Sequence, residues 1–275
     1  RRGTGTADLI ADYAGPIPVT VIAELLGVEH ADRPRFHRWS RDIVAADTSA
    51  RHKLRAIPSG IAFILFLRKL IRTRRAALGE DLLSRLIEVQ DAGDRLTADE
   101  LLAMCFLLLV AGHETTVNLI GNGMLALLKH PDQMSRLREE PALIAPAVEE
   151  MLRYGSPLQF ATERYATADL EIAGLRIPRG SLVYVVLAAA NRDEESFRDA
   201  ARFDITREPN RHLAFGHGIH YCLGAPLARL EGQIAIRMLL ERFVSIALQP
   251  DTLLQWRPGL VLAGLEALPV TIAGR

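Results

Sequence analysis

The sequence predicts a mainly helical fold with small β-sheets, organised around one long central helix. Three observations carry this. Apolar residues recur at helical spacing through most of the first two thirds of the chain. One stretch, 97–129, holds that pattern with no proline inside it. After Ser156-Pro157 the texture changes to short β-branched segments punctuated by Gly and Pro. With 275 residues, 49% apolar and 24% charged, the chain has enough apolar material for one large core and too much for disorder, collagen or a disulfide scaffold. Neither a repeat nor a linker-like stretch divides it, so residues 1–275 are expected to form a single domain.

In chain order, helices are expected at 19–27, 33–46, 57–78 and 80–90. The side of 57–78 that bears Phe63, Phe66 and Leu67 is expected to pack in the core. The long helix at 97–129 opens with a capping box, in which Thr97 and Glu100 satisfy each other's backbone amides, and stops at His130-Pro131. At 1.5 Å per residue it spans about 50 Å. It is apolar on nearly all sides over 101–112, which places it inside. Shorter helices follow at 131–139 and 144–154. Strands are expected at 159–166, 170–172, 175–177 and 181–187, with turns at Gly174 and 178–180. A last helix at 225–243 leads into a closing hairpin through 244–248 and 260–272.

Composition also limits the partners. The 33 basic and 33 acidic residues cancel, so nothing in the charge calls for nucleic acid or an anionic membrane. The longest unbroken apolar run, 101–112, is shorter than the roughly 18 residues a membrane span needs, and none is expected. Two cysteines, Cys105 and Cys222, build no disulfide framework, which points to a reducing compartment and a cytoplasmic location.

The densest chemical cluster is 212–224, with His212, His217, His220 and Cys222 among Gly216, Gly218 and Gly224. Three readings fit it: a Gly-rich loop with solvated histidines, a zinc site, or a thiolate site. Zinc is disfavoured, because four ligands crowd one short loop and no second knuckle exists. Cys222 stands in a Gly-rich turn just ahead of a helix, whose amides at 223–225 and partial positive charge favour a thiolate. Pro226 falls in the first turn, where a missing N–H costs little. Such a thiolate can bind haem iron axially, a ligation that favours splitting the O–O bond.

A second cluster, Ala111-Gly112-His113-Glu114-Thr115-Thr116, interrupts the apolar stretch of the long helix. Buried polar groups need partners. Either Thr115 bonds back to the Ala111 carbonyl and the polar face meets a neighbouring helix, or Gly112 and the threonine widen the helix locally into a groove for dioxygen and water. His113 takes no role in either. In Glu150-Met151-Leu152-Arg153 the acid and the base share a helix face, a spacing common on surfaces. Cys105, within an apolar run, reads as a small buried hydrophobe.

Taken together, Phe215, Gly218, His220, Cys222 and Gly224 resemble the haem-binding signature of the cytochrome P450 monooxygenases, in particular the soluble bacterial ones. The resemblance implies a cytochrome P450 fold with haem b (iron protoporphyrin IX) held by Cys222 as axial ligand. It implies that His220 and Arg164 meet haem propionates, that Phe215 packs by the thiolate, and that Gly216, Gly218 and Gly224 let the backbone approach the porphyrin. By the same resemblance Ala111 and Gly112 line the groove over the haem, Thr115 hydrogen-bonds oxygen there, and Glu114 relays protons. Glu150 and Arg153 form a structural network with Arg207, and Gln159, Phe160, Leu260 and Val261 stand where side chains reach substrate.

The activity so implied is dioxygen-dependent hydroxylation or epoxidation of a small hydrophobic organic molecule, such as a macrolide or other secondary metabolite. No flavin or nicotinamide motif is present, and two cysteines are too few for an iron–sulfur cluster. Electrons would come from a ferredoxin or flavodoxin with its reductase. The resemblance begins part-way into the family's fold, so an N-terminal portion with sheet strands, a propionate-binding helix and the substrate-pocket roof is expected to be missing. That expectation sets up the alternative, a catalytically impaired P450-like haem-binding or docking module.

Overall fold

The capping box predicted at the head of the long helix is present, and it sets the frame of the molecule. The Glu100 N–H donates to the Thr97 hydroxyl at 3.2 Å and the Thr97 N–H donates to the Glu100 carboxylate at 2.8 Å. From there α5 (Ala98–Lys129) runs 32 residues to His130, where Pro131 begins α6 (Pro131–Glu139). The computed structural model describes residues 4–44, 50–93 and 96–274.

Two apolar clusters share α5. Its first half, through Leu101, Cys105 and Leu109, packs against α1 (Pro16–Leu25), α2 (Arg33–Val44), α3 (Ala50–Ala76) and α4 (Leu82–Asp91). Phe36, Phe63 and Leu67 are fully buried there, so the aromatic side of α3 is core, and burial pushes the Cys105 thiol up to about 11. The second half, from Val117 to Leu127, is enclosed by α6, α7 (Ile144–Gly155) and α9 (Ala225–Arg242) and by the main sheet. Among the described residues α5 is the one helix long and apolar enough to cross a membrane, with a mean hydropathy of 1.5 in its most apolar window. The expectation of no such helix counted only the unbroken run 101–112. The apolar content continues past the 113–116 break, and its cause is the core that α5 threads.

Local signals located most helices, with ends shifted. α1 starts at Pro16, ahead of the predicted 19, because a proline suits the first helical turn. α3 begins at Ala50 and takes Pro58 inside it, ahead of the predicted 57. Positions 45–46 of the predicted 33–46 helix lie outside the described residues. A four-residue α8 (Leu187–Ala190) was not expected.

The sheets differ more. The main sheet has the order β1-β7-β6, all antiparallel, with β1 (Thr4–Asp8), β6 (Phe243–Leu248) and β7 (Pro269–Gly274). Of the predicted closing strand 260–272, only 269–272 belongs to β7. The segment before it pairs elsewhere, Leu262 with Leu158 and Leu265 with Trp256. The predicted strand 159–166 shrinks to β2 (Arg164–Tyr165), paired with β5 (Leu182–Val183). The reason is a change of partner along the segment: the Gln159 N–H donates to Val261 at 2.8 Å, whereas the Ala161 N–H donates to Val185 at 2.9 Å, so neither ladder grows long. A separate hairpin joins β3 (Leu170–Ile172) to β4 (Leu175–Ile177), as predicted.

Candidate functional site

The cysteine loop is built by its backbone. Gly216 and Gly218 sit at φ +73° and +69°, a region that side chains with a Cβ avoid, and this lets 212–222 fold back on itself. The Gly216 N–H donates to Leu213 at 2.9 Å, and the Cys222 N–H donates to the Phe215 carbonyl at 2.9 Å. Gly218–His220 forms one 3-10 turn that ends with His220 exposed. The loop delivers Cys222, an exposed free thiol, just ahead of Gly224, the N-cap of α9. Of the three amides expected to serve the sulfur, that of Ala225 is taken by the Cys222 carbonyl at 3.3 Å. Leu223 and Gly224 are left for that role. Ile219 (97% exposed) and Leu223 (88%) flank the thiol.

On α5 the polar cluster resolves into distinct contacts. The Thr115 hydroxyl donates to the Ala111 carbonyl at 2.7 Å. The helix nevertheless stays α-helical through Gly112, so the expected interruption is not a break. What the glycine supplies is room for α1, since a Cβ there would stand 3.3 Å from the Ile22 side chain. His113 is buried and its Nε2 meets the Gly15 carbonyl at 3.3 Å, which ties α5 to the entry of α1. Glu114 is 6% exposed and forms an ion pair with Arg257, which offsets the cost of burying its charge. Arg257 was missed in the sequence, where it is one arginine in a Trp-Arg-Pro-Gly turn with no spacing to link it to α5.

Glu150, Arg153 and Arg207 come together. Arg153 donates from Nε and Nη2 to the two Glu150 oxygens, both at 2.8 Å, and Arg207 Nε approaches Glu150 at 3.2 Å. Gln159 and Val261 are hydrogen-bonded neighbours, Phe160 bridges to Val186, and Leu260 and Val261 are exposed. Arg164 is exposed on β2, its guanidinium held by Thr162 and the Glu163 carbonyl. Among the described residues no hydrogen bond or ion pair joins Arg164 to His220, or the α5 cluster to the cysteine loop. Nor do three metal-ligating side chains converge anywhere among them, which removes the geometric basis for a zinc site.

An exposed cysteine that follows a left-handed glycine loop and precedes a helix N-terminus, with an acid and a hydroxyl adjacent on the central helix, matches the arrangement expected of a haem-thiolate protein. Comparison with known proteins makes this specific: the chain belongs to the cytochrome P450 family, whose model, described as Cytochrome P450, matches residues 61–262. It is 50% identical over 270 residues to Cytochrome P450 107B1 of Saccharopolyspora erythraea, covering 98% of this chain and 65% of that protein. It is 51% identical to the cytochrome P450 monooxygenase PikC of Streptomyces venezuelae, covering 97% of this chain and 64% of PikC. Among solved structures, the bacillaene polyketide synthase cytochrome P450 PksS of Bacillus subtilis 168 superimposes with a TM-score of 0.91 at 44% identity, over 98% of this chain and 69% of that one. The chain thus spans about two thirds of the length of the relatives it matches.

The residues present suit the group this family carries. Besides the exposed thiol, α5 leaves Ala103, Leu107, Val110 and Ala111 uncovered at helical spacing, an apolar stripe that ends at Thr115. Elsewhere Ile219 and Leu223 beside the thiol, and Leu260 and Val261, are exposed apolar side chains as well. A large apolar macrocycle would suit such surfaces better than water does, with the thiol available as its ligand.

Two buried titratable groups near this frame act on stability in opposite senses. Burial raises Glu231, on α9, from 4.5 to about 7. Between those values the folded chain keeps a proton the unfolded chain releases, so this contribution to stability falls as pH rises. His113 is lowered from 6.5 to about 4, chiefly by burial, with the Gly15 carbonyl opposing and Arg257 and His37 adding. Its contribution is full above 6.5 and is lost as pH falls toward 4. The two slopes oppose each other between about 4.5 and 6.5. Glu231→Gln removes one of them, and stability should then climb across that window by on the order of 3 kcal/mol relative to wild type. Thermal melts at both ends of the window check this, and parallel wild-type and variant curves would refute it.

Proposed function

We propose that this chain is the haem-binding, oxygen-activating part of a bacterial monooxygenase that hydroxylates or epoxidises a small hydrophobic molecule of the polyketide class. The observation that carries the reading is the exposed Cys222 thiol, held by Gly216, Gly218 and the Phe215 carbonyl at the head of α9. Haem b, when bound with a cysteine thiolate, supplies the redox chemistry that activates dioxygen. Cys222 would hold it, with Phe215, Gly216, Gly218 and Gly224 of the same loop giving close backbone approach, Ala111 and Gly112 lining its groove on α5, and His220 and Arg164 as propionate donors.

The protein's own share is proton handling and orientation. The single Thr115 proton is committed to the Ala111 carbonyl, so its oxygen is free to accept. Donating elsewhere requires the hydroxyl to turn away from that carbonyl, or to pass its proton on while accepting another. Glu114, its neighbour on α5, is the group that would resupply one, and to do so its carboxylate must exchange Arg257 for a new partner. Gln159, Phe160, Leu260 and Val261 would orient substrate. Electrons would arrive from a ferredoxin or flavodoxin system docking near Cys222, in the cytoplasm, where two free cysteines are stable. The likeness to PksS, a cytochrome P450 of a bacillaene polyketide synthase, supports the substrate class.

A second reading is a haem-binding module without turnover. One experiment separates the two. The chain is loaded with haemin and supplied with peroxide and a hydrophobic polyketide lactone, and oxidised product is measured for wild type, Thr115→Ala and Glu114→Gln. The monooxygenase reading expects product from wild type and a fall of roughly 10²-fold or more in both variants. Stable haem with no product from any of them establishes the module instead.

A further inference from the structure

Next to Glu150 on α7 stands Glu149, which serves a different network. Arg229, in the second turn of α9, donates from Nε to Glu149 Oε1 at 2.7 Å and from Nη2 to Oε2 at 2.9 Å, a bidentate pair. Its third nitrogen, Nη1, donates to the Tyr221 hydroxyl at 3.1 Å. The guanidinium carbon also lies 4.5 Å from the centre of the Phe215 ring. Glu149 Oε2 receives one more bond, from His212 Nε2 at 3.1 Å. The Ala214 N–H donates to His212 Nδ1 at 3.2 Å, so the neutral ring carries its proton on Nε2 and needs no charge to hold Glu149. Although burial opposes it, the bonds from His212 and Arg229 hold the Glu149 carboxyl at about 2.

These contacts flank Cys222 in the chain. Tyr221 precedes it in the chain, and Phe215 supplies the carbonyl that takes its N–H. The phenylalanine and tyrosine rings stand 6.3 Å apart, with the guanidinium touching both residues. A single arginine therefore connects both strands of the cysteine loop to a carboxylate on another helix.

We propose that Arg229, anchored by Glu149, is a positioning residue that fixes the Cys222 loop from both sides. Lysine is not an equivalent, because one ammonium supplies neither the bidentate fork nor the planar face over Phe215. A merely structural ion pair on half-exposed side chains would contribute little, and either cation would do.

Native-state hydrogen exchange of the full chain, without and with haem, reads the difference at single amides. In Arg229→Met and Arg229→Lys the Cys222 and Tyr221 amides should exchange about tenfold faster or more, while amides in the enclosed half of α5 keep their wild-type rates. Tyr221→Phe, at an exposed position, removes only the Nη1 bond and should give a smaller rise of about threefold with the fold intact. In the haem-loaded chain, reduced under carbon monoxide, Arg229→Lys should show a larger share of the short-wavelength Soret form than wild type. Wild-type exchange at Cys222 in both Arg229 variants overturns the proposal, as does full rescue by lysine. The haem-free arm stands whether or not the chain proves to be a monooxygenase.

Discussion

Replacing Cys222 with serine is expected to abolish the far-red-shifted Soret band of the reduced, carbon-monoxide-treated protein and to leave its helical content unchanged. The fold does not depend on the sulfur. Cys222 is exposed, and the bond that holds its backbone, from its N–H to the Phe215 carbonyl, survives the substitution. What disappears is the ligand, since a serine hydroxyl does not ionise near neutral pH as a thiol at a helix N-terminus can. Cys105 provides the matching control. It is fully buried on α5 among apolar side chains, so Cys105→Ser exchanges a small apolar group for a hydroxyl in the core and should cost about 1–3 kcal/mol of stability even if that hydroxyl bonds back to the preceding turn. Its spectrum should remain that of wild type. A red-shifted band that persists in Cys222→Ser, or vanishes only in Cys105→Ser, would move the ligand away from the loop.

The features legible in the sequence are those whose causes are local. The Thr97–Glu100 box lies within four residues, the Thr115–Ala111 bond spans one turn, and the Cys222 loop carries its own glycines. Contacts made at a distance along the chain left no local trace. Strand β1 is a short Thr-Gly-Thr-Ala-Asp stretch that becomes a strand because β7, at the other end of the chain, pairs with it. Arg257 and Glu114 meet across elements far apart in the chain, where the Asn122 side chain of α5 donates to the Ala263 carbonyl at 2.8 Å and the Leu262 and Gln159 contacts hold the same segment. His113, which has no catalytic logic in the sequence, proves to be a tether to Gly15. The pairing of Glu150 with Arg153 was visible as spacing, but what it holds was not.

What it holds decides the second large effect. Arg153 is fully buried and donates five hydrogen bonds: two to Glu150, and one each to the carbonyls of Asn191 (2.9 Å), Ala200 (2.8 Å) and Arg202 (2.9 Å). Glu150 in turn accepts from the Asp204 N–H at 2.9 Å and from the Arg207 and Asn210 side chains. The pair is thus an anchor that fastens the irregular 191–210 segment to α7. Arg153→Ala should cost at least about 3–5 kcal/mol, because it removes the bidentate partner of a buried carboxylate and leaves the Asn191 and Ala200 carbonyls without a donor. Lysine should recover little of this, having one nitrogen where five bonds are needed. A buried ion pair can often be replaced by apolar residues of similar size at no cost. Here that should fail: in Glu150→Leu/Arg153→Met the Asn191 and Ala200 carbonyls and the Asp204 N–H lose their partners, and Arg207 is left with only its bonds to the carbonyls of Arg198, Asp199 and Arg202. Urea unfolding of the single and double variants tests this, with the double variant expected to be no more stable than Arg153→Ala. Recovery to wild-type stability would show an ordinary ion pair and leave the 191–210 segment to be held by something else.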